Sequence, residues 1–323
     1  LANNISKMKR STDLGSRIIE VHNSSSISTG GAGSGTSNLR RFIIENDLLE
    51  AIVALPQNMF YNTGISTYLW IVTNKKEDKR KGYIQLIDAS ELKASLRKNV
   101  GEKNCEITPK IRRQIIDLYL AYKDADSKYS MVFKNEEFGY YSATVNRPLR
   151  LKVEVSTDRI ELLRNQLKDE GVVEVLNKYC EDQGDAISYD FNDFMEHITH
   201  ISAKCGVKLT AKRKKLIRDF FSAVDEKGSI VLDAKGQPEL DKNLKDTEKI
   251  PLLYEGGIDG YWENEIRPYL PDSWIDKESA VIGYELSFMK YFYKPLVVRE
   301  PKDIIADIQN IETDTDGLLA LII

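Results

Sequence analysis

Two apolar stretches, Leu48-Leu-Glu-Ala-Ile-Val-Ala-Leu55 and Thr67-Tyr-Leu-Trp-Ile-Val-Thr73, decide the fold class of this 323-residue chain. Each is almost entirely apolar or β-branched, which is typical of a buried strand, and Pro56 ends the first. A predicted helix precedes them and runs to about Asn46, with Ser37 or Asn38 as its cap. Apolar strands separated by a helix indicate a sheet covered on both faces, as in doubly wound α/β domains.

Further elements are predicted on either side. Short strands are expected over residues 16–21 and 83–88, and a helix over residues 109–124. Residues 23–38 are rich in Ser and Gly and are expected to form a mobile loop. They include the glycine cluster 30–36, which lacks the lysine of a P-loop. After Pro148 helix formers dominate, so the α/β part is expected to be followed by a mostly α-helical region.

The charge is unevenly distributed along the chain. Overall, 46 Lys and Arg against 50 Asp and Glu give a net charge of −4, which alone argues against a dedicated nucleic-acid binder. Residues 1–150 hold 23 basic and 16 acidic residues (net +7), whereas residues 151–323 hold 23 and 34 (net −11). A basic half beside an acidic half suggests that one part faces a polyanion and the other faces solvent or a protein partner.

Several classes of protein are excluded or disfavoured. No run approaches the 18 or more apolar residues that a membrane span needs. The three cysteines, at positions 105, 180 and 205, show no C-x-x-C spacing, which fits a reducing cytoplasm. No metal site is expected, because His197 and His200 do not match the zinc spacing and residues 225–233 do not match a calcium loop. Leu1 is not Met and no secretion signal follows it, so we expect the chain to be part of a longer protein.

Residues 55–67 hold the strongest candidate for a binding site. They join the two buried strands, where an open α/β sheet places its ligand crevice. Phe60 and Tyr61 are suited to stacking on a flat ring, Asn58 and Asn62 to hydrogen bonding at its edges, and Gly64 to close backbone approach. The alternative is ordinary loop packing with Phe60 in the core.

Two other surfaces are candidates for binding larger partners. A basic cluster near the sheet suggests contact with nucleic acid and consists of Lys75, Lys76, Lys79, Arg80 and Lys81. A second basic run, residues 212–215, is more typical of a solvated helix face. Near the end of the chain, Ile304, Ile308 and Ile311 follow a helical spacing, and residues 318–323 are apolar. This is the pattern of an amphipathic helix that binds a protein partner.

Several segments together resemble one family, the methylation (M) subunit of type I restriction-modification systems, an adenine-specific DNA methyltransferase. They are residues 47–67, 83–92, 244–252, 267–276 and 281–293, in the family's order. The chain departs from the family pattern at Asn62 and Ser66, which replace Gly and Pro, and at residues 21–24, where Leu-Pro-Asn-Gly is usual.

The resemblance implies the C-terminal half of a Rossmann-like methyltransferase sheet over residues 1–150. It further implies a helical insert over 151–250 and a partner-binding region over 251–323. Methyl transfer from S-adenosyl-L-methionine to a flipped adenine is the activity implied, with Asn58, Phe60, Tyr61, Asn62, Thr63 and Gly64 at the base pocket.

The family's cofactor loop and catalytic Asn-Pro-Pro motif have no counterpart in these residues, so we expect no catalytic residue here and an inert isolated chain. Expected partners are DNA, the specificity (S) subunit, a second M subunit and the restriction (R) subunit. The alternative is a module that binds DNA or protein without catalysis.

Overall fold

The computed structural model describes residues 1–167, 169–293 and 298–314. The chain forms two compact units that interleave along the sequence. Unit 1 consists of residues 1–28, 47–133 and 286–323, and unit 2 of residues 29–46 and 134–285. The division into segments 1–150, 151–250 and 251–323 stays a prediction.

The elements are as follows. The strands are β1 (Arg17–Asn23), β2 (Leu49–Leu55), β3 (Thr67–Thr73), β4 (Tyr83–Asp88), β5 (Ala94–Val100), β6 (Lys103–Glu106), β7 (Ser130–Lys134), β8 (Gly139–Asn146), β9 (Leu151–Val155), β10 (Ala186–Ser188), β11 (Ser222–Val224), β12 (Asp246–Pro251) and β13 (Trp274–Tyr284). The helices are α1 (Ala2–Ser6), α2 (Ser25–Ser28), α3 (Gly35–Glu45), α4 (Pro109–Ala121), α5 (Thr157–Leu167), α6 (Glu170–Gln183), α7 (Phe191–Lys204), α8 (Ala211–Phe221), α9 (Gly257–Tyr261), α10 (Phe288–Phe292) and α11 (Pro301–Asp314).

Unit 1 is built on a five-stranded sheet in the order β1-β3-β2-β4-β7. The predicted α/β class is confirmed, and the sheet is mixed, because β3 is antiparallel to both β1 and β2 while β2 and β4 are parallel. Every residue of β2 is buried, as its continuous apolar sequence predicts. On one face of the sheet Val53, Leu55 and Ile87 form a core that is completed by side chains of α4.

The start of α3 differs from the prediction. Ser34, not Ser37 or Asn38, is the cap, and its Oγ accepts a hydrogen bond from the Ser37 backbone N–H at 3.3 Å. Ser37 lies inside the helix, where its buried Oγ accepts from the Tyr284 N–H at 3.2 Å. The Ser/Gly-rich segment therefore enters a helix three or four residues earlier than expected, and it also contains α2.

Unit 2 contains the predicted helical region as α5 to α8, together with strands that the sequence analysis does not predict. One three-stranded sheet has the order β10-β9-β11 and another the order β12-β8-β13. The helical part has its own buried core, in which Ile160, Leu163, Phe194 and Phe221 are almost completely inaccessible to solvent. In the part of the chain that the structure describes, no helix is long and apolar enough to cross a membrane.

Candidate functional site

The candidate loop, residues 56–66, lies at the edge of the sheet where the parallel strands end. Residues 54 of β2 and 88 of β4 are register partners, so both strands end at this edge. The loop follows β2 directly, and the connection that leaves β4 leads into the hairpin β5–β6. The carboxyl ends of parallel strands are the usual position of a ligand site in open α/β sheets.

The loop has a compact conformation that presents two aromatic side chains. Asn58 and Asn62 adopt left-handed backbone angles, with φ of 56° and 55°, and asparagine tolerates this region well. Phe60 and Thr63 pair across the turn. Phe60 is 37% exposed and Tyr61 is 65% exposed, so Phe60 is not part of the buried core.

The hairpin β5–β6 braces this loop from one side. The Asn104 N–H donates to the Asn58 carbonyl at 3.0 Å, and the Asn58 Nδ2 donates to the Glu102 carbonyl at 3.1 Å. The buried Cys105 Sγ donates to the Gln57 carbonyl at 3.2 Å. At the hairpin tip Gly101 has a φ of 61°, and a Cβ there would overlap the side chain of Asn62. The loop and the hairpin therefore form one bonded assembly.

An apolar cleft of about 530 Å³ opens beside Phe60. Its floor comes from β2, β3 and α4, and polar groups are confined to its rim, namely Lys103, Glu106 and Arg112. A flat apolar group of the size of a nucleobase fits a cleft of this volume and lining. The structure thus brings the predicted residues 58–64 together on one turn, with Phe60 lining the cleft.

The predicted basic cluster does not form one surface. Lys76 is 7% exposed, and its Nζ donates to the Asp47 carboxylate at 2.5 Å and to the Tyr83 carbonyl at 2.8 Å. Burial lowers the pKa of this ammonium group. Arg80 is 3% exposed. The expectation that Lys76 and Arg80 contact DNA is therefore wrong, because both side chains are buried and hydrogen-bonded within the fold.

The three remaining lysines of that cluster, Lys75, Lys79 and Lys81, are exposed. Lys79 pairs with Glu77 at 3.2 Å and Lys81 with Asp78 at 2.6 Å. The cluster also lies at the opposite edge of the sheet from the aromatic loop, since it follows the end of β3, which is antiparallel to β2. A seven-residue strand separates it from the aromatic loop by about 20 Å. Contact of these three lysines with DNA stays a prediction.

Arg80 belongs to a buried polar network at that far edge. Its guanidinium donates to the Gln85 Oε1 at 2.9 Å and to the Tyr119 carbonyl at 2.6 Å, and its Nε lies 3.5 Å from the buried Glu50 carboxylate. It also lies 4.3 Å from the ring centre of Tyr119 and 4.4 Å from that of Tyr122. Burial, with the nearby Glu50 charge, raises the pKa of Tyr119 to about 12. This network is structural.

Sequence reasoning missed polar groups at the carboxyl edge itself. Asp88 ends β4, and burial together with the Asp88 charge raises the pKa of the Tyr68 hydroxyl. The Thr67 Oγ1 is buried without a hydrogen-bond partner among the described residues. Thr67 and Asp88 could have been predicted as site residues, because each lies at the end of a buried strand at this edge.

The predicted partner helix exists as α11, which belongs to unit 1. Ile304, Ile308 and Ile311 are 43%, 50% and 59% exposed, and Ile305 adds a fourth large apolar side chain. The helix therefore presents an apolar stripe to solvent in this chain. The apolar residues 318–323 lie outside the described residues. Within the described residues, no three His, Cys, Asp or Glu side chains are placed to hold a metal ion.

The segment that carries this site matches a known protein family in sequence. The sequence model of the N-6 DNA methylase family matches residues 10–159, which include the loop, the hairpin, α4 and β8. Residues 10–159 are similar in sequence to the N-6 DNA methylase family. The resemblance stated from the sequence is confirmed for this part of the chain.

The similar proteins are methylase subunits of type I restriction enzymes. The MjaVII subunit of Methanocaldococcus jannaschii is 33% identical over 110 residues, which are 32% of this chain and 18% of that protein. The MjaIX subunit of the same organism is 30% identical over 97 residues, 30% of this chain and 17% of that protein. The methylase match thus spans less than a fifth of either relative.

Among solved structures, the chain is similar to the methyltransferase subunit of a type I restriction-modification system from Streptococcus thermophilus. The identity is 19% with a TM-score of 0.32, covering 38% of this chain and 23% of that one. The structural likeness is too low to add to the argument, which depends on the sequence match and the geometry.

Proposed function

We propose that this chain takes part in adenine-N6 methylation of DNA as part of an M subunit of a type I restriction-modification complex. The observation that best supports this proposal is the position of Phe60 and Tyr61. They belong to the N-6 methylase segment and lie at the carboxyl edge of its sheet beside an apolar cleft. An aromatic pair at such a cleft is the chemistry that a flipped base requires.

In this proposal the loop of residues 56–66 walls the pocket for the target adenine. Unstacking a base costs a few kcal/mol, and stacking on an aromatic side chain returns about 1–3 kcal/mol. Asn58 stays a proposed edge contact, because its Nδ2 donates one hydrogen to the Glu102 carbonyl and the amide has a second N–H and an Oδ1 acceptor. Asn62, Thr63 and Gly64 remain proposed base-pocket residues.

The residues present do not by themselves fit S-adenosyl-L-methionine. The polar rim of the cleft is Lys103, Glu106 and Arg112, and the cleft has no glycine-rich strand-to-helix turn to receive the cofactor. The 323 residues also contain no Asn-Pro-Pro. We therefore propose that methyl transfer needs residues beyond these, and that the 323 residues alone transfer no methyl group.

The proposed partners are DNA, an S subunit, a second M subunit and an R subunit, with the exposed stripe of α11 meeting the S subunit. A cytoplasmic location stays a prediction. A non-catalytic DNA- or protein-binding module is the alternative function. The exposed stripe of Ile304, Ile308 and Ile311 is compatible with both a methylase subunit and a non-catalytic module, because a protein-binding helix can occur in either.

The test is transfer of labelled methyl groups from S-adenosyl-L-methionine to duplex DNA by the assembled methylase that contains this chain. Phe60→Ala and Tyr61→Ala should each lower kcat/KM about tenfold or more, because stacking is lost. Tyr269→Ala removes a tyrosine that is 81% exposed in unit 2 and serves as the matched control.

Subunit assembly should be unchanged in all three variants, as measured by gel filtration of the complex. Unchanged turnover in both Phe60→Ala and Tyr61→Ala would contradict the assignment of the pocket. Absence of methyl transfer in the wild-type assembly would favour the non-catalytic module.

A further inference from the structure

Basic residues that form no ion pair among the described residues lie on the hairpin β5–β6 and in the first turn of α4. We propose that the hairpin β5–β6 and the first turn of α4 bind the phosphate backbone of the DNA strand that carries the target base. This inference rests on the proposed function and names the part of the surface that holds the substrate. The hairpin and the first turn of α4, and not the basic cluster of residues 75–81, are then the main phosphate contact.

The hairpin and the start of α4 are strongly basic. Residues 93–113 hold seven basic and two acidic residues. Two of the seven have nearby carboxylate partners, since Lys93 pairs with Glu91 at 3.6 Å and Arg113 with Asp117 at 3.1 Å. The other five form no ion pair within 4.0 Å among the residues that the structure describes, and they are Arg97, Lys98, Lys103, Lys110 and Arg112.

Two of these cations lie where they do not stabilise the fold. Lys110 and Arg112 lie in the first turn of α4, which Thr108 caps by accepting from the Ile111 N–H. The amino end of a helix already carries partial positive charge, so cations there are unfavourable. An excess of like charge retained against this cost favours binding of a polyanion.

Two of the cations line the proposed base pocket itself. Lys103 and Arg112 line the same cleft as Phe60. The hairpin is hydrogen-bonded to the loop through Asn58, and its tip at Gly101 packs against Tyr61 and Asn62. Phosphates held on the hairpin would therefore flank a base that stacks on the loop. In this arrangement one rigid assembly binds both the backbone and the base.

The test is the salt dependence of DNA binding by the full chain, measured by fluorescence anisotropy with a labelled duplex oligonucleotide. The double variant Arg97→Gln/Lys98→Gln removes two exposed cations outside the cleft. It should weaken binding and reduce the slope of log K against log salt by about 2, since each phosphate contact contributes about one. Its melting temperature should match that of the wild type, because neither side chain forms an ion pair with any residue that the structure describes.

The matched control is Lys242→Gln/Lys245→Gln, which removes the same formal charge from two exposed lysines of unit 2. Its salt slope should stay within experimental error of the wild-type slope. An unchanged slope in the hairpin variant, an equal loss in the control, or no DNA binding by the wild-type chain would each overturn the inference. A hairpin-dependent slope in an assembly that transfers no methyl group would contradict the proposed function alone.

Discussion

Arg80 is buried, although the basic residues around it in the sequence predict an exposed side chain. In the sequence it is one of five basic residues within seven positions, a pattern typical of an exposed patch. In the fold its guanidinium lies between the rings of Tyr119 and Tyr122 and beside the buried Glu50 carboxylate. A short 3₁₀ turn over Asp78–Arg80 directs it inward, and composition carries no signal of that turn.

We expect Arg80→Ala to lower the free energy of unfolding by about 3 kcal/mol, because it leaves Glu50 buried with one cation fewer and removes the donor to Gln85. Lys79→Ala, one position earlier, should change it by less than about 0.5 kcal/mol, since the Lys79–Glu77 pair is exposed. Urea denaturation of the two variants provides the measurement. Equal stability of Arg80→Ala and wild type would show that the network is not structural.

At the scale of elements, the buried strands were predictable and the hairpin was not. The strands β2, β3 and β4 lie within one residue of their predicted bounds, because an unbroken apolar run has few alternatives to a buried strand. β5 is exposed along nearly its whole length, so it has no apolar stripe to reveal it. The cap of α3 was misplaced because Ser34 and Ser37 are chemically equivalent, and only the bond to Tyr284 distinguishes them.

The helix α11 could be predicted from its isoleucine spacing alone, whereas its partner could not. We expect Ile304→Asp/Ile308→Asp to reduce co-purification with the S subunit at least tenfold, because charge would replace the apolar stripe at an interface. Ala306→Asp/Thr313→Asp adds the same charge on the opposite side of the helix and should leave the yield unchanged. Undiminished recovery of the S subunit with the first variant would refute the role of this helix.

At the scale of the whole molecule, the division of charge by sequence halves is only part of the description. Because the units interleave, unit 1 has 22 basic and 19 acidic residues and unit 2 has 24 and 31. The net charge of +7 over residues 1–150 thus becomes +3 for the unit that carries the site. Its suitability for DNA depends on which cations lack partners, and that depends on tertiary structure. Sequence reasoning found the aromatic loop of the site through strand order, and missed its basic rim.

In the proposed function the loop of residues 56–66 receives the target base. This role is tested most directly by photocrosslinking the assembled methylase to a duplex that carries 5-iodouracil in place of the target adenine. A mismatched base is extruded at lower cost, so the replacement favours the flipped state. We predict a crosslink to Phe60 or Tyr61, within the tryptic peptide of residues 42–75. Crosslinks confined to other peptides, with none in residues 42–75, would contradict it.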